Sequence, residues 1–175
     1  MDIRHLVNLT ARAWCLEILA CLARGTPGRQ APLLAATGAG RTAFRDSLNH
    51  LIDLGLLART PGHGHPLRPE FRLTSTGREA AAMADRILAI PQPGGGTLLR
   101  LSWTLPILAL TGTPQRFSGL RAGLGRITDR ALSVRLKGLE AEAWLLRDID
   151  IQARPPMPTY RAINQGLRIN RAING

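Results

Sequence analysis

The chain has 175 residues, of which 45% are hydrophobic and 20% charged, a composition typical of a folded globular protein rather than a disordered or membrane-embedded one. This length is sufficient for two small domains. No uninterrupted apolar run reaches the roughly 18 residues of a membrane span, and the N-terminus lacks the layout of a signal peptide. We therefore expect a cytoplasmic protein with no membrane partner.

The net charge of +11 is carried mainly by arginine, with 22 Arg against a single Lys. Both halves of the chain are basic: residues 1–90 have eleven cations and seven acids, and residues 91–175 have twelve cations and five acids. Such a surface attracts polyanions. Because no amphipathic segment combines Trp or Phe with a basic face, double-stranded DNA is favoured over membrane lipid as the partner.

The first half of the chain predicts helices near 4–24, 29–37 and 41–55 and strands near 56–60 and 70–74. Thr60 to Pro69 would form a loop, or wing, between the two strands. An Ala-rich helix is predicted to follow from Arg78 to Ile90. Three helices and then two strands joined by a wing is the order of a winged helix-turn-helix domain.

Pro91 to Thr97 contains two prolines and three glycines, a composition that sustains neither a helix nor a central strand. We interpret residues 91–97 as a linker between a first domain, 1–90, and a second domain, 98–175. A tether this short favours docking of the domains as an intramolecular pseudo-dimer. Small-angle scattering tests that expectation, and a homodimer of whole chains is an alternative.

The second half repeats the predicted order, with helices near 98–110, 116–122 and 130–143 and strands near 144–151 and 159–163. Residues 152–158 are expected to be a wing that cannot form a strand. Thr128 or Asp129 can cap the third helix. Its predicted buried stripe recurs at helical spacing and consists of Leu132, Leu136, Leu139 and Ala143.

The halves match each other at an offset of 87 to 89 residues. Trp14 aligns with Trp103, and Gly77 aligns with Gly166. Gly25-Thr26-Pro27 aligns with Gly112-Thr113-Pro114. These matches predict a duplication, and the expected fold is mainly α with small β-hairpin wings (α+β), as two tandem winged helix-turn-helix domains.

The segment ITDRALSVRLKGLEAEAWL, followed by YRAINQG, resembles the HxlR-type winged-helix regulators of bacteria. The resemblance covers nearly all of 98–167 and is weaker over 11–90, where FRDSLNHLIDLGLL and FRLTSTGREA carry it. It implies a transcriptional regulator that places its third helix in the major groove and its wing near the minor groove. Relatives have one such domain and pair on near-palindromic sites, whereas this chain would have two.

Helix geometry places four residues of each third helix on the outward face. The candidate DNA contacts of the second copy are Arg130, Ser133, Val134 and Lys137 on the helix and Arg154 in the wing. Those of the first copy are Thr42, Arg45 and Asn49 on the helix and His63, His65 and Arg68 in the wing. Asp46 also faces outward and would oppose DNA phosphates, so the first copy is expected to bind DNA more weakly.

Other chemistry is not indicated. His63 and His65 lie beside no further metal ligands, although a metal site needs three or four, and no catalytic triad or paired carboxylate is evident. We predict no metal, no cofactor and no enzymatic activity. Cys15 and Cys21 are interpreted as small buried hydrophobes, with a thiol switch of the kind that some HxlR relatives use as the alternative.

Two other functions compete with transcriptional regulation. Tandem winged-helix chains also occur as the kleisin-binding subunits of bacterial chromosome-condensation complexes, but that role does not require a strongly basic surface. RNA binding ranks last, because no exposed aromatic platform for base stacking is evident. A regulator would associate with the nucleoid, and a protein of the transcription machinery is a further conceivable partner.

Overall fold

A computed structural model describes residues 2–61, 68–91 and 97–175. The chain divides into two compact units, one formed by Asn8–Pro91 and the other by Met1–Val7 with Gln92–Gly175. The sequence placed residues 1–7 in the first domain, whereas here they group with the second unit. Most of the predicted linker, residues 92–96, lies outside the described residues.

The first part of the chain contains five helices and two strands within the residues described. They are α1 (Ile3–Leu9), α2 (Cys15–Ala23), α3 (Gln30–Thr37), α4 (Arg41–Asp53), β1 (Leu57–Thr60), β2 (Glu70–Leu73) and α5 (Ser75–Leu88). β1 and β2 are antiparallel, with Leu57 opposite Leu73. A bridge between Arg29 and Glu70 adds a third, minimal strand to this hairpin.

The single helix predicted near 4–24 is wrong, because the chain turns between α1 and α2. The amide of Ala11 donates to the carbonyl of Asn8 at 3.1 Å, a contact three residues back rather than the four of an α-helix. The amide of Trp14 donates to Ser47 Oγ on α4 at 3.4 Å. A tertiary hydrogen bond therefore accompanies the break, which the local pattern of apolar residues does not reveal.

The second unit contains a short 3-10 helix at Thr97–Arg100 followed by the same kinds of element. They are α6 (Thr104–Leu110), β3 (Gln115–Arg116), α7 (Phe117–Leu124), α8 (Asp129–Ala141), β4 (Leu145–Asp150), β5 (Met157–Ala162) and α9 (Asn164–Asn174). The strands form an antiparallel sheet in the order β3–β5–β4. The sequence did not predict β3 or α9.

Two predicted boundaries of the second unit are corrected. Residues 98–110 do not form one helix but contribute to a 3-10 helix and a separate α6. Pro106 is the third residue of α6, where a missing amide breaks no helical hydrogen bond. Strand β5 begins at Met157 rather than 159. Pro158 is tolerated because it pairs with Ile149 of β4 but lies beyond the end of β3.

Ala143 does not belong to the buried stripe of the third helix. It follows the end of α8, is exposed and has a positive φ of 54°. The equivalent residue after α4 is Gly55, with φ 68°. In both units the amide of the following residue donates a hydrogen bond to a carbonyl in the last part of the helix. Leu56 donates to Leu51 at 3.0 Å, and Trp144 donates to Leu139 at 2.9 Å.

The last helix of each unit packs on an earlier helix of the same unit, α5 on α2 and α9 on α6. In the second unit the buried Asn170 of α9 donates through Nδ2 to the carbonyls of Leu108 and Ala109, at 2.8 and 3.1 Å. These carbonyls lie at the end of α6, where helical partners are missing. Asn170 therefore anchors α9 to α6 by a polar contact within the core.

A glycine in the first turn of each last helix allows a close backbone approach. A Cβ on Gly77 would lie 1.9 Å from the Leu56 carbonyl oxygen, and a Cβ on Gly166 would lie 2.1 Å from that of Trp144. Real Cβ atoms do not approach oxygen so closely. The two units therefore share this contact at the spacing of the sequence repeat.

No helix in the described part of the chain is both long enough and apolar enough to cross a bilayer.

We predict that Gly166→Ala destabilises the second unit by at least about 2 kcal/mol, because the backbone must move to relieve the contact with Trp144. The control is Gly138→Ala in α8, where a new Cβ meets nothing within 4 Å. That change should stabilise the helix by up to about 1 kcal/mol. Urea unfolding followed by circular dichroism measures both variants, and equal stabilities would contradict the proposed contact.

Candidate nucleic-acid interface

Helix α8 is held by its buried side and by its cap. Leu132, Leu136 and Leu139 are at most 1% exposed. The Thr128 side chain accepts a hydrogen bond from the amide of Ala131 at 3.2 Å, which satisfies one of the free amides at the helix start. The sequence allowed Thr128 or Asp129 as the cap, and the structure identifies Thr128.

The opposite side of α8 presents the four residues singled out from the sequence. Arg130, Val134 and Lys137 are exposed, and Ser133 is half-buried. Val134 is 59% exposed. A valine at such a solvent-facing position gains no stabilisation from burial. Within the described residues, Arg130 and Lys137 form no ion pair, so both cations are free for an anionic partner.

The neighbouring cations on α7 and β3 are neutralised instead. Arg121 of α7 forms an ion pair with Asp129 at the start of α8. Arg116 donates to Asp150 of β4 at 2.9 Å, and this hydrogen bond holds the pKa of the Asp150 carboxyl below its ordinary value. Since both pairs are exposed, each contributes little to stability. Their effect is to offset two carboxylates that would otherwise weaken the positive field near α8.

Arg135 is a cation of α8 that sequence reasoning did not single out. It is half-buried, and its Nε atom is buried without a hydrogen-bond partner among the described residues. Burial lowers the pKa of its guanidinium from the ordinary value. Its position on α8, adjacent to Val134 and Leu136, was visible in the sequence, but the burial of one nitrogen depends on the packing of the whole unit.

The wing of the second unit is the connection between β4 and β5. Arg154, predicted to contact DNA, is exposed in this connection. Ile151 in the wing is 75% exposed, and Ile149 of β4 and Met157 of β5, which flank the wing, are 56% and 42% exposed. The wing and its flanking strand ends thus offer one arginine beside exposed apolar side chains, whereas α8 presents two unpaired cations.

The corresponding helix of the first unit, α4, presents a different surface. Thr42, Arg45, Asp46 and Asn49 are all exposed. Arg45 Nε lies 3.8 Å from Asp46 Oδ1, so part of its charge is offset by its neighbour. The first residue of α4 follows Gly40, which provides no side-chain cap. Arg68 is exposed, and the predicted contacts His63 and His65 lie outside the described residues.

The cysteines are poorly suited to redox sensing. Cys15 is buried, and its thiol donates to the Ser47 carbonyl at 3.8 Å. Burial, with a smaller contribution from Glu17, raises the pKa of Cys15 to about 12. Burial also raises the pKa of the half-buried Cys21. Because the thiolate is the reactive form, the structure favours the interpretation of both as packing residues.

Among the described residues, no group of three or more His, Cys, Asp or Glu side chains could hold a metal ion.

Comparison with protein families gives one match, and it covers the second unit. Residues 98–174 match the family model described as HxlR-like helix-turn-helix. The first unit has no such match, so the predicted resemblance is supported for one copy and not for two. No curated protein and no solved structure matches the chain. Residues 98–174, less than half of the chain, are therefore similar to the HxlR-like helix-turn-helix family, and this similarity supports a DNA-binding transcriptional regulator.

Proposed function

We propose that the protein is a sequence-specific transcriptional regulator that inserts α8 into the DNA major groove and places the β4–β5 wing near the minor groove. The observation that carries this proposal is the face of α8 on which the cations Arg130 and Lys137 are exposed and form no ion pair in the described part of the chain. This face lies on the unit that matches the HxlR-like helix-turn-helix model.

The dimensions of the face suit the groove. Arg130 and Lys137 are seven residues apart, about two turns or roughly 10 Å along the helix. A major groove about 12 Å wide accepts a single α-helix. Arg130 or Lys137 can donate to a guanine edge, Ser133 can contact several bases, and Val134 can contact a thymine methyl group.

We propose a weaker role for the first unit, as a second winged-helix domain produced by internal duplication. The shared element order and the Gly77 and Gly166 contacts support the duplication. On α4, Asp46 opposes DNA phosphates and lies near Arg45. Association with the nucleoid follows from DNA binding.

Docking of the units as a pseudo-dimer and pairing of whole chains stay predictions. The competing structural role, as a partner-binding subunit of a chromosome-condensation complex, gains no support from the family comparison.

We expect Arg130→Ala and Lys137→Ala each to reduce the salt dependence of binding, lowering the slope of log K against log salt by about one unit. Each cation that faces phosphate releases condensed counterions, and its loss removes that release. A contact to a guanine edge would instead cost about 1–3 kcal/mol on some sequences only. Fluorescence titration of duplex DNA at several salt concentrations gives both quantities.

The matched control for this experiment is the double variant Arg45→Ala with Asn49→Ala on α4. All four side chains are exposed, so none of these variants should unfold the protein. We expect a smaller loss from the α4 variant than from either α8 variant. An equal or larger loss would show that the first unit dominates DNA binding.

A second prediction concerns the symmetry of the DNA site. Thr42, Arg45 and Asn49 cannot prefer the same bases as Arg130, Ser133 and Lys137, so a chain that uses both helices should select an asymmetric site. Selection from random DNA, followed by sequencing, measures this. A perfect palindrome would contradict it, unless whole chains pair and only α8 contacts bases, which the mass of the complex would reveal.

A further inference from the structure

A cavity of about 340 Å³ lies beside α8, within the second unit. Its wall combines residues from four elements of the unit: α7, α8, β4 and β5. The half-buried Phe117 supplies apolar surface, Leu136 is only 1% exposed, and the other lining residues carry polar groups. The volume lies at the lower end of the range of small-molecule sites, which are apolar pockets with a few polar groups that fix the orientation of a ligand.

Two hydroxyl groups of the cavity lining have no hydrogen-bond partner in the part of the chain that the structure describes. Tyr160 is 8% exposed and lines the cavity, and its hydroxyl makes no hydrogen bond to any residue that the structure describes. The hydroxyl of Ser133, a half-buried lining residue on α8, also makes no hydrogen bond to any residue that the structure describes. The Tyr160 hydroxyl is therefore free to bond to something inside the cavity.

The charges of the cavity favour an anion. Lys137 and Arg147 are exposed cations that form no ion pair in the described ranges, and Glu140 is the single carboxylate of the lining. The lining therefore has a net charge of +1. One carboxylate on a ligand would balance it and would accept hydrogen bonds from Arg147 or Lys137, which are stronger than those between neutral groups.

We propose that this cavity binds a small organic monoanion whose apolar ring packs on Phe117 and whose carboxylate is held by Lys137 and Arg147. The ligand opposes DNA binding, because Lys137 and Ser133 belong both to the cavity and to the DNA-contacting face. This competition rests on the proposed function, whereas binding of the anion does not.

The test is a calorimetric titration of benzoate into the full chain without DNA. We expect saturable binding, with benzyl alcohol, the uncharged analogue, about ten-fold weaker. Arg147→Gln should weaken benzoate binding by a similar factor, and Tyr160→Phe by about three-fold because it removes one hydrogen bond. Neither residue has been assigned to the DNA-contacting face.

The matched control is Arg161→Gln. Arg161 is an exposed arginine next to Tyr160 on β5, and it does not line the cavity. This variant should bind benzoate like the unchanged protein. Absence of benzoate binding, equal binding of inorganic phosphate, or indifference to both Arg147→Gln and Tyr160→Phe would overturn the site.

Adding benzoate to the protein–DNA complex then tests the competition. We expect the apparent dissociation constant for DNA to rise with benzoate concentration in the unchanged protein. In Arg147→Gln the rise per unit of benzoate concentration should be about ten-fold smaller. An unchanged DNA affinity at saturating benzoate would overturn the competition. If the chain bound benzoate but no DNA at all, the proposed function would fail, while the titration without DNA would still support the anion site.

Discussion

The burial of three leucines on α8 is the constraint on which the rest of the second unit depends. Leu132, Leu136 and Leu139 must leave water, and each such side chain contributes about 1.5–3 kcal/mol when it does so. Because they share one face of a 13-residue helix, burying them fixes the rotation of the helix about its axis. The opposite face, with Arg130 and Lys137, is then necessarily presented to solvent.

The two units use the same framework for different surfaces. In each, the last helix approaches the backbone before the hairpin so closely that the contact residue, Gly77 or Gly166, can have no side chain. What differs is the charge of the outward helix. An acid adjacent to Arg45 offsets that cation on α4, whereas Asp129, the acid adjacent to Arg130 on α8, is itself engaged by Arg121. The two units thus share this backbone contact, and α8 presents two unpaired cations where α4 presents an ion pair.

Sequence reasoning predicted the elements whose signals are local. The helix near 130–143 was found from its leucine spacing and a capping threonine, and its outward residues followed from helix geometry alone. Features that depend on distant partners were missed. Strand β3 has only two residues and depends on pairing with β5. The break before Trp14 accompanies a hydrogen bond to Ser47. Helix α9 buries an asparagine, Asn170, where an apolar residue is expected. The cavity beside α8 needs four elements and could not be predicted.

The most direct test of the account is an NMR titration of the isotope-labelled chain with duplex DNA, followed through the backbone amides. We predict that the largest shifts fall on residues 130–137 of α8, that smaller ones fall on the wing between β4 and β5, and that α4 responds less. Such a pattern would place the DNA on the face opposite the buried leucines. Shifts that leave α8 unchanged while another surface responds, or no response at low salt, would contradict the central claim.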